Sequence, residues 1–295
     1  MAYGSPDKTE DIEAYYTDIR RGNRPTSDQL QELMERYHAI GGSPLLRITS
    51  DQAASVQEEL GSGYDVFIGM RHWKPWILEA VQSMKEQGID EAVGIVMAPH
   101  YSSMSIEKYI GKVEEARAQV APELHVNYIK SWHKESLFIE ALNRKIAKAL
   151  QKFSGHELEG LHVVFTAHSL PEKILLQNDP YKDQLLETSA LVANAAGIKN
   201  WSFAFQSAGR TQDKWLGPDL LDVITGLRNN GVKAILVCSV GFITDHLEVL
   251  YDIDIEAQHY AKKIGVHLER TESLNADPLL AVLWADLVRK KFHEK

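Results

Sequence analysis

Cysteine is almost absent: the chain of 295 residues holds a single one, Cys238. One thiol closes no internal disulfide and completes no four-cysteine iron–sulfur site, so no such cluster is expected. Within its apolar run, Cys238 reads as a small buried core residue. Positive charge is also scarce. Lys and Arg number 32 against 41 Asp and Glu, a formal net charge of −9, and no basic stripe is present to meet nucleic acid. No apolar run approaches the roughly 18 residues of a membrane helix, and no secretory leader pattern opens the chain. No Walker-type loop is present to cradle a nucleotide phosphate. These absences predict a soluble cytoplasmic protein without a membrane or nucleic-acid partner. The lack of any heptad run makes a monomer the expected state.

What the chain does have is alternation. Apolar β-branched runs at Tyr64–Met70, Ala92–Ala98, Leu124–Lys130, Leu161–Ala167, Trp201–Gln206 and Ala234–Val240 read as strands. Helical periodicity occupies Trp76–Gln87, Ile106–Ala121, Glu135–Phe153, Asp183–Ala196, Pro218–Asn229, Leu247–Lys263 and Pro278–Phe292. Strands separated by helices predict βαβ units and a mostly parallel sheet covered on its faces. The polar, glycine-bearing stretch Gln151–Gly160 marks a boundary between two similar halves, 1–155 and 156–295, with the last helix packing back on the first half. Met1–Pro6 reads as the end of a strand entering a loop, so the first strand is missing; a start assigned at an internal methionine accounts for that.

Two segments carry chemistry. Leu161–Lys173 (LHVVFTAHSLPEK) brings His168 to the end of a buried strand, where a proline-fixed turn follows. Ala234–Glu256 (AILVCSVGFITDHLEVLYDIDIE) runs from a strand into a helix with Glu248, Asp252 and Glu256 at every fourth position. At 3.6 residues per turn these carboxylates drift only about 40° per step and share one face. Leu247, Val249, Leu250 and Ile253 already supply a buried side, which leaves the acidic face free. Chemistry in open α/β sheets lies beyond the carboxyl ends of strands, so base and acidic ladder would meet in one cleft. His72 and His100 also end strands and read as positional support. Trp73, Trp76, Trp132 and Trp284 read as packing.

Several blocks together resemble the ferrochelatases. HSLPEK at 168–173, GFITDHLEVLYDID at 241–254, AYG at 2–4, IRRG at 19–22, RYHAIGGSPL at 36–45 and QSAGRTQDKWLGPD at 206–219 occur in the order and spacing of that family. The resemblance is greatest to the short enzymes of Gram-positive bacteria that metallate coproporphyrin III. It implies two Rossmann-like domains, each a parallel sheet flanked by helices, with the porphyrin in the cleft between them. It implies insertion of Fe²⁺ into coproporphyrin III, with iron as substrate, no resident cofactor and no nucleotide. By the same resemblance His168 and Glu248 bind metal or take pyrrole protons. Asp252 and Glu256 continue as a metal path or a second, auxiliary cation site. Tyr3, Arg20, Arg36, Tyr37, Ser43 and Tyr109 match porphyrin-contacting positions. A transient contact with the next haem-pathway enzyme is also implied.

The residue chemistry agrees. Neutral imidazole accepts a proton near physiological pH, and carboxylates are exchangeable ligands for a metal that must be released. Arg20, Arg21, Arg24 and Arg36 concentrate positive charge in an otherwise acidic chain, which suits the four propionates of coproporphyrin. The polar stretch Tyr15–Ala39 lacks the apolar lip of membrane-associated enzymes that act on protoporphyrin IX. Insertion into protoporphyrin IX, or tetrapyrrole carriage without turnover, is the alternative function. A chelatase for sirohydrochlorin or a cobalt corrin precursor fits HSLP and DHLEVLYD poorly.

Overall fold

The computed structural model describes residues 1–209 and 211–294; Arg210, inside the QSAGRT block, lies outside the described residues. The chain opens with a short 3₁₀ turn, Thr9–Asp11, and three helices: α1 (Ile12–Ile19), α2 (Ser27–Ala39) and α3 (Leu45–Leu60). Next come α4 (Ile77–Glu86), β1 (Glu91–Ile95), α5 (Ile106–Val120), β2 (His125–Ile129), α6 (Ser136–Leu150) and α7 (Gly155–Glu159). The second half runs β3 (His162–His168), a 3₁₀ turn (Glu172–Gln177), α8 (Tyr181–Ala195), β4 (Trp201–Gln206), α9 (Leu220–Asn229) and β5 (Ala234–Ser239). It ends with α10 (Leu247–Tyr251), a π-helical segment (Asp252–Ala257), α11 (Gln258–Lys263), β6 (His267–Arg270) and α12 (Pro278–His293).

Every described ladder is parallel. The second half carries a sheet ordered β4-β3-β5-β6, and the first half pairs β1 with β2. The central strand β5 (AILVCS) is buried along its whole length, as expected where helices cover both faces of a sheet. One face packs α6, α8 and α12 around Phe138, Phe165, Leu185 and Trp284. The other packs α9 and the α10–π–α11 unit around Ile224, Val237 and Ile253. Cys238 is buried in the first of these layers, as its apolar run predicts. Helix α12 also reaches back to the first half: Tyr64 and Phe292 rings lie 5.7 Å apart, and the Trp132 and Trp284 rings 5.6 Å.

Two sequence expectations change, and one strand was not expected. Tyr64–Met70 forms no ladder of its own; only Met70 makes bridges, to Ala2 and Trp76. The segment beside it is Met1–Tyr3, which bonds to Gly69, Arg71 and His72 on one side and Met97 on the other. With three residues as neighbour, an apolar run of strand type has little to pair with. Strand β6 escapes the pattern because HLER is short and polar at its edge position. The helix from Leu247 to Lys263 has the expected limits but not a uniform register, since its middle turn and a half is π-helical.

Candidate active site

His168 is the last residue of β3, and Gln206 pairs with it at the end of β4. Past His168 the chain is fastened to the loop before α9. Ser169 N–H donates to Gln206 O at 2.8 Å, Ser169 Oγ donates to Leu216 O at 2.7 Å, and Leu216 N–H donates to Leu170 O at 2.8 Å. Tyr181 Oη adds a bond to His168 O at 3.0 Å. The second jaw approaches through Gly241, whose N–H donates to Thr166 O at 3.1 Å. A Cβ on Gly241 would fall 2.8 Å from Ala167 Cα, so glycine is what lets the loop to α10 cross the end of β3.

This crossing places Glu248 Oε1 at 3.4 Å from His168 Nε2, with the side chains 34% and 31% exposed. His168 Nδ1–H donates to the Ser169 carbonyl, which turns Nε2 toward the carboxylate. Burial opposes a charged imidazole, yet Glu248 and the Ser169 carbonyl outweigh it and lift His168 to about 9. The reverse holds for Glu248. Burial pushes its carboxyl up, but His168 and then His246 hold it well below the usual carboxylate range. His246 was not singled out by the sequence reading. Its Nδ1–H donates to Thr244 O at 2.9 Å, and Nε2 stands 3.7 Å from Glu248 Oε2. A histidine at the start of the acidic helix, two residues before a ladder carboxylate, is the signal that would have found it.

Asp252 is buried one turn further on. Ser207 Oγ donates to its Oδ2, and Arg36 Nη1 lies 3.5 Å from Oδ1. Burial raises Asp252 to about 6, with Glu248 and Glu256 adding to the rise while Ser207 and Arg36 oppose it. Glu256 is exposed. An α-turn overshoots a full circle by about 40° at every fourth residue. The wider π-turn, closed by i→i+5 bonds, falls short instead, so the two steps offset and the ladder stays in line. Among the described residues, no group of three or more His, Cys, Asp or Glu is close enough to hold an ion. His168 and Glu248 stand as a pair, with Asp252 and Glu256 behind.

The facing wall is aromatic and comes from the first half. Tyr15, Tyr37 and Trp73 form a small buried cluster against which Leu247 packs. Tyr15 and Tyr37 meet edge to face at 6.4 Å, and Tyr37 Oη lies 3.4 Å from Ser5 Oγ. Burial raises the phenols of Tyr3, Tyr15 and Tyr37, and the negative charge of Glu248 adds to the rise in all three. Glu248 therefore faces this wall. The Tyr3 ring lies tilted against that of His72 at 4.6 Å, and His72 Nδ1 is 2.7 Å from Asp18 Oδ2, which fits the supporting role expected of His72. Tyr109 is buried under the guanidinium of Arg71, 5.5 Å from its ring centre.

The other predicted residues separate into two groups. Arg36 joins the site but is already engaged, by Asp252, by Glu32 at 3.4 Å and by the face of Tyr251 at 4.6 Å. Arg20 sits at the end of α1, over the Tyr16 ring and bonded to Asn23 O at 3.2 Å. Arg21 and Arg24 are exposed. Ser43 Oγ accepts from Leu45 N–H at 3.4 Å ahead of α3, and makes no described bond to His168 or Glu248. His100 is buried away from it, bonded to Thr188 at 2.9 Å. Arg71 and Gln206 were missed. Arg71 lay outside the arginine-rich helices, and a glutamine at a strand end carries no pattern of its own.

Comparison with known proteins identifies the family. The sequence profile described as Ferrochelatase matches residues 1–292. The coproporphyrin III ferrochelatase of Halalkalibacterium halodurans is 41% identical over 302 residues, spanning 100% of this chain and 96% of the relative. That of Geobacillus sp. (strain WCH70) is 42% identical, covering 99% and 96%. A protein of Deinococcus radiodurans described as ferrochelatase is 40% identical, covering 100% and 95%. Among solved structures, the sirohydrochlorin chelatase SirB of Bacillus subtilis subspecies spizizenii, in complex with cobalt, superposes with a TM-score of 0.57. It is 13% identical, with 83% of this chain and 89% of that one covered, so it speaks for the fold alone.

Proposed function

The chain belongs to the ferrochelatase family of metal-chelatase enzymes, and from that premise we propose that it inserts Fe²⁺ into coproporphyrin III without nucleotide. The observation that carries this reading is the His168–Glu248 pair at 3.4 Å, facing a wall of phenols and arginine. Metallation releases two pyrrole protons while a dication enters. At rest His168 is protonated, because Glu248 supplies its counter-charge. An arriving Fe²⁺ takes over the role of that counter-cation at Glu248. The imidazole then sheds its proton toward the acidic ladder and becomes a base for one pyrrole N–H and, once it has passed that proton on, for the other. Asp252, raised to about 6, can accept that proton and pass it on near neutral pH.

Substrate choice rests on charge. Arg71 is half-buried, and its described side-chain contact is the Tyr109 ring, so its guanidinium is available to a carboxylate. The described side-chain contacts of Arg20 are likewise the Tyr16 ring and one backbone oxygen. Arg71 beside the phenols, with Arg20 as a further cation on the same half of the chain, favours a tetra-anionic porphyrin over a dianionic one. Relatives described as coproporphyrin III ferrochelatases support the same choice, and one described more broadly keeps protoporphyrin IX as the competing substrate. No helix among the described residues is long and apolar enough to cross a membrane. A cytoplasmic, monomeric enzyme that meets the next haem-pathway enzyme transiently is part of the same proposal.

The test is Fe²⁺-dependent metallation followed by absorbance under anaerobic conditions, with coproporphyrin III and protoporphyrin IX compared at equal concentration. A kcat/KM at least tenfold higher for coproporphyrin III is expected. Equal values or a preference for protoporphyrin IX would overturn the substrate, and binding without metallation would overturn the enzyme.

A further inference from the structure

The two jaws come from different elements, so something must hold them in register. Gln206 touches both. Its main-chain oxygen accepts from Ser169 N–H at 2.8 Å, which fixes the chain immediately after His168. Its side-chain Nε2 donates to the main-chain oxygen of Glu248 at 3.1 Å, which fixes the first turn of α10. The residue is 2% exposed at the end of β4, in parallel register with His168. Its neighbour Ser207 extends the grip by donating to Asp252, from a backbone with φ of +59°. A non-glycine residue in that region is strained, and such strain persists where the surroundings over-determine it.

The amide is also poorly satisfied. Gln206 Oε1 is buried and has no partner among the described residues. An orphaned buried acceptor is destabilising, so an apolar residue of equal length would suit folding better. What an apolar residue could not do is bond the Glu248 carbonyl. We propose that Gln206 is a positioning residue for metal insertion: its amide and main chain together set the separation of His168 and Glu248. The inference rests on the ferrochelatase reading of that pair and adds to it a residue that touches neither metal nor porphyrin. Positioning errors near 1 Å at a reacting centre cost on the order of a hundredfold in rate, so loss of the amide bond acts on kcat.

The test compares the full-length wild type with Gln206→Met, which keeps length and apolar volume but has no donor. Metallation kcat should fall at least tenfold, while the KM for free-base porphyrin and the unfolding midpoint stay near wild type. If Gln206→Met does not fold, Gln206→Asn serves, because it keeps the amide one methylene short of the carbonyl and should lose kcat equally. A folded variant with kcat within twofold of wild type overturns the proposal. So does a loss of turnover that only tracks the unfolded fraction. Wild-type metallation is the internal control: its absence sinks the ferrochelatase reading, whereas its presence beside an unaffected variant sinks the positioning role alone.

Discussion

The two walls of the cleft are built on different principles. The wall from the second half presents His168 and Glu248 from the ends of a buried parallel sheet, with main-chain bonds at Ser169, Gly241 and Leu216 behind them. The wall from the first half has helices α1 and α2, the Met1–Tyr3 segment and a loop, and its contacts are ring on ring or guanidinium on ring. Charge that must be placed to a fraction of an ångström sits on the stiffer wall. On the proposed function, groups that need only meet a large anionic disc sit on the other. The difference predicts that substitutions on the first wall act on kcat and those on the second act on KM.

The sharpest break would come at His168. Replacing it by Ala should lower metallation kcat by about 10²–10⁴-fold, the range for losing a positioned acid–base group. Free-base porphyrin, followed by fluorescence quenching, should bind within a few-fold of wild type. Weak binding with intact turnover would reverse the assignment of the two walls.

Glu248→Gln is expected next in size, at roughly 10²-fold in kcat, and it carries a pH signature. His168 is lifted to about 9 chiefly because Glu248 overcomes burial. A histidine raised on folding adds stability that is full below its ordinary value of about 6.5 and lost as pH climbs through 9. Wild type should therefore lose unfolding free energy between pH 7 and pH 10 through this pair. In Glu248→Gln burial is opposed only by the Ser169 carbonyl and the Asp252 charge, so the His168 titration followed by NMR should fall well below 9. An unchanged midpoint would show that the 3.4 Å pair does not form in solution.

On the second wall, Arg71→Ala should raise KM for coproporphyrin III about tenfold, in line with one charge-assisted hydrogen bond, while kcat stays within twofold. The rise for protoporphyrin IX should be smaller, and Arg20→Ala should show the same order at lower amplitude. If both substrates lose equally, Arg71 supports the Tyr109 ring and recognises no carboxylate.

Much of this was readable from the sequence because it rests on periodicity. The limits of β3, β4 and β5 and of most helices follow from alternating apolar runs, and His168 and Glu248 follow from strand-end position and helical spacing. Other features depend on tertiary context that no local pattern encodes. The π turn at Asp252–Ala257 keeps the same apolar positions as an α-helix, so its sequence reads as α-helical. The edge strand β6 is too short to alternate visibly. Arg36 reads as a rim cation, yet the fold spends it on Asp252, 216 positions away in sequence. Arg71 and Gln206 become functional candidates only once their neighbours are known.

Ser43→Ala should have the smallest effect of all. The family resemblance puts Ser43 against the porphyrin, but its hydroxyl accepts from Leu45 N–H in a long 3.4 Å bond and touches neither His168 nor Glu248. A hydroxyl at that distance supports the entry to α3 only weakly. The expected change in KM for coproporphyrin III is under twofold, with kcat unaltered. A tenfold rise would mean that the substrate reaches past Tyr37 to the start of α3. The second wall would then extend beyond its aromatic cluster, and its recognition would rest on hydroxyl donors as well as on arginine.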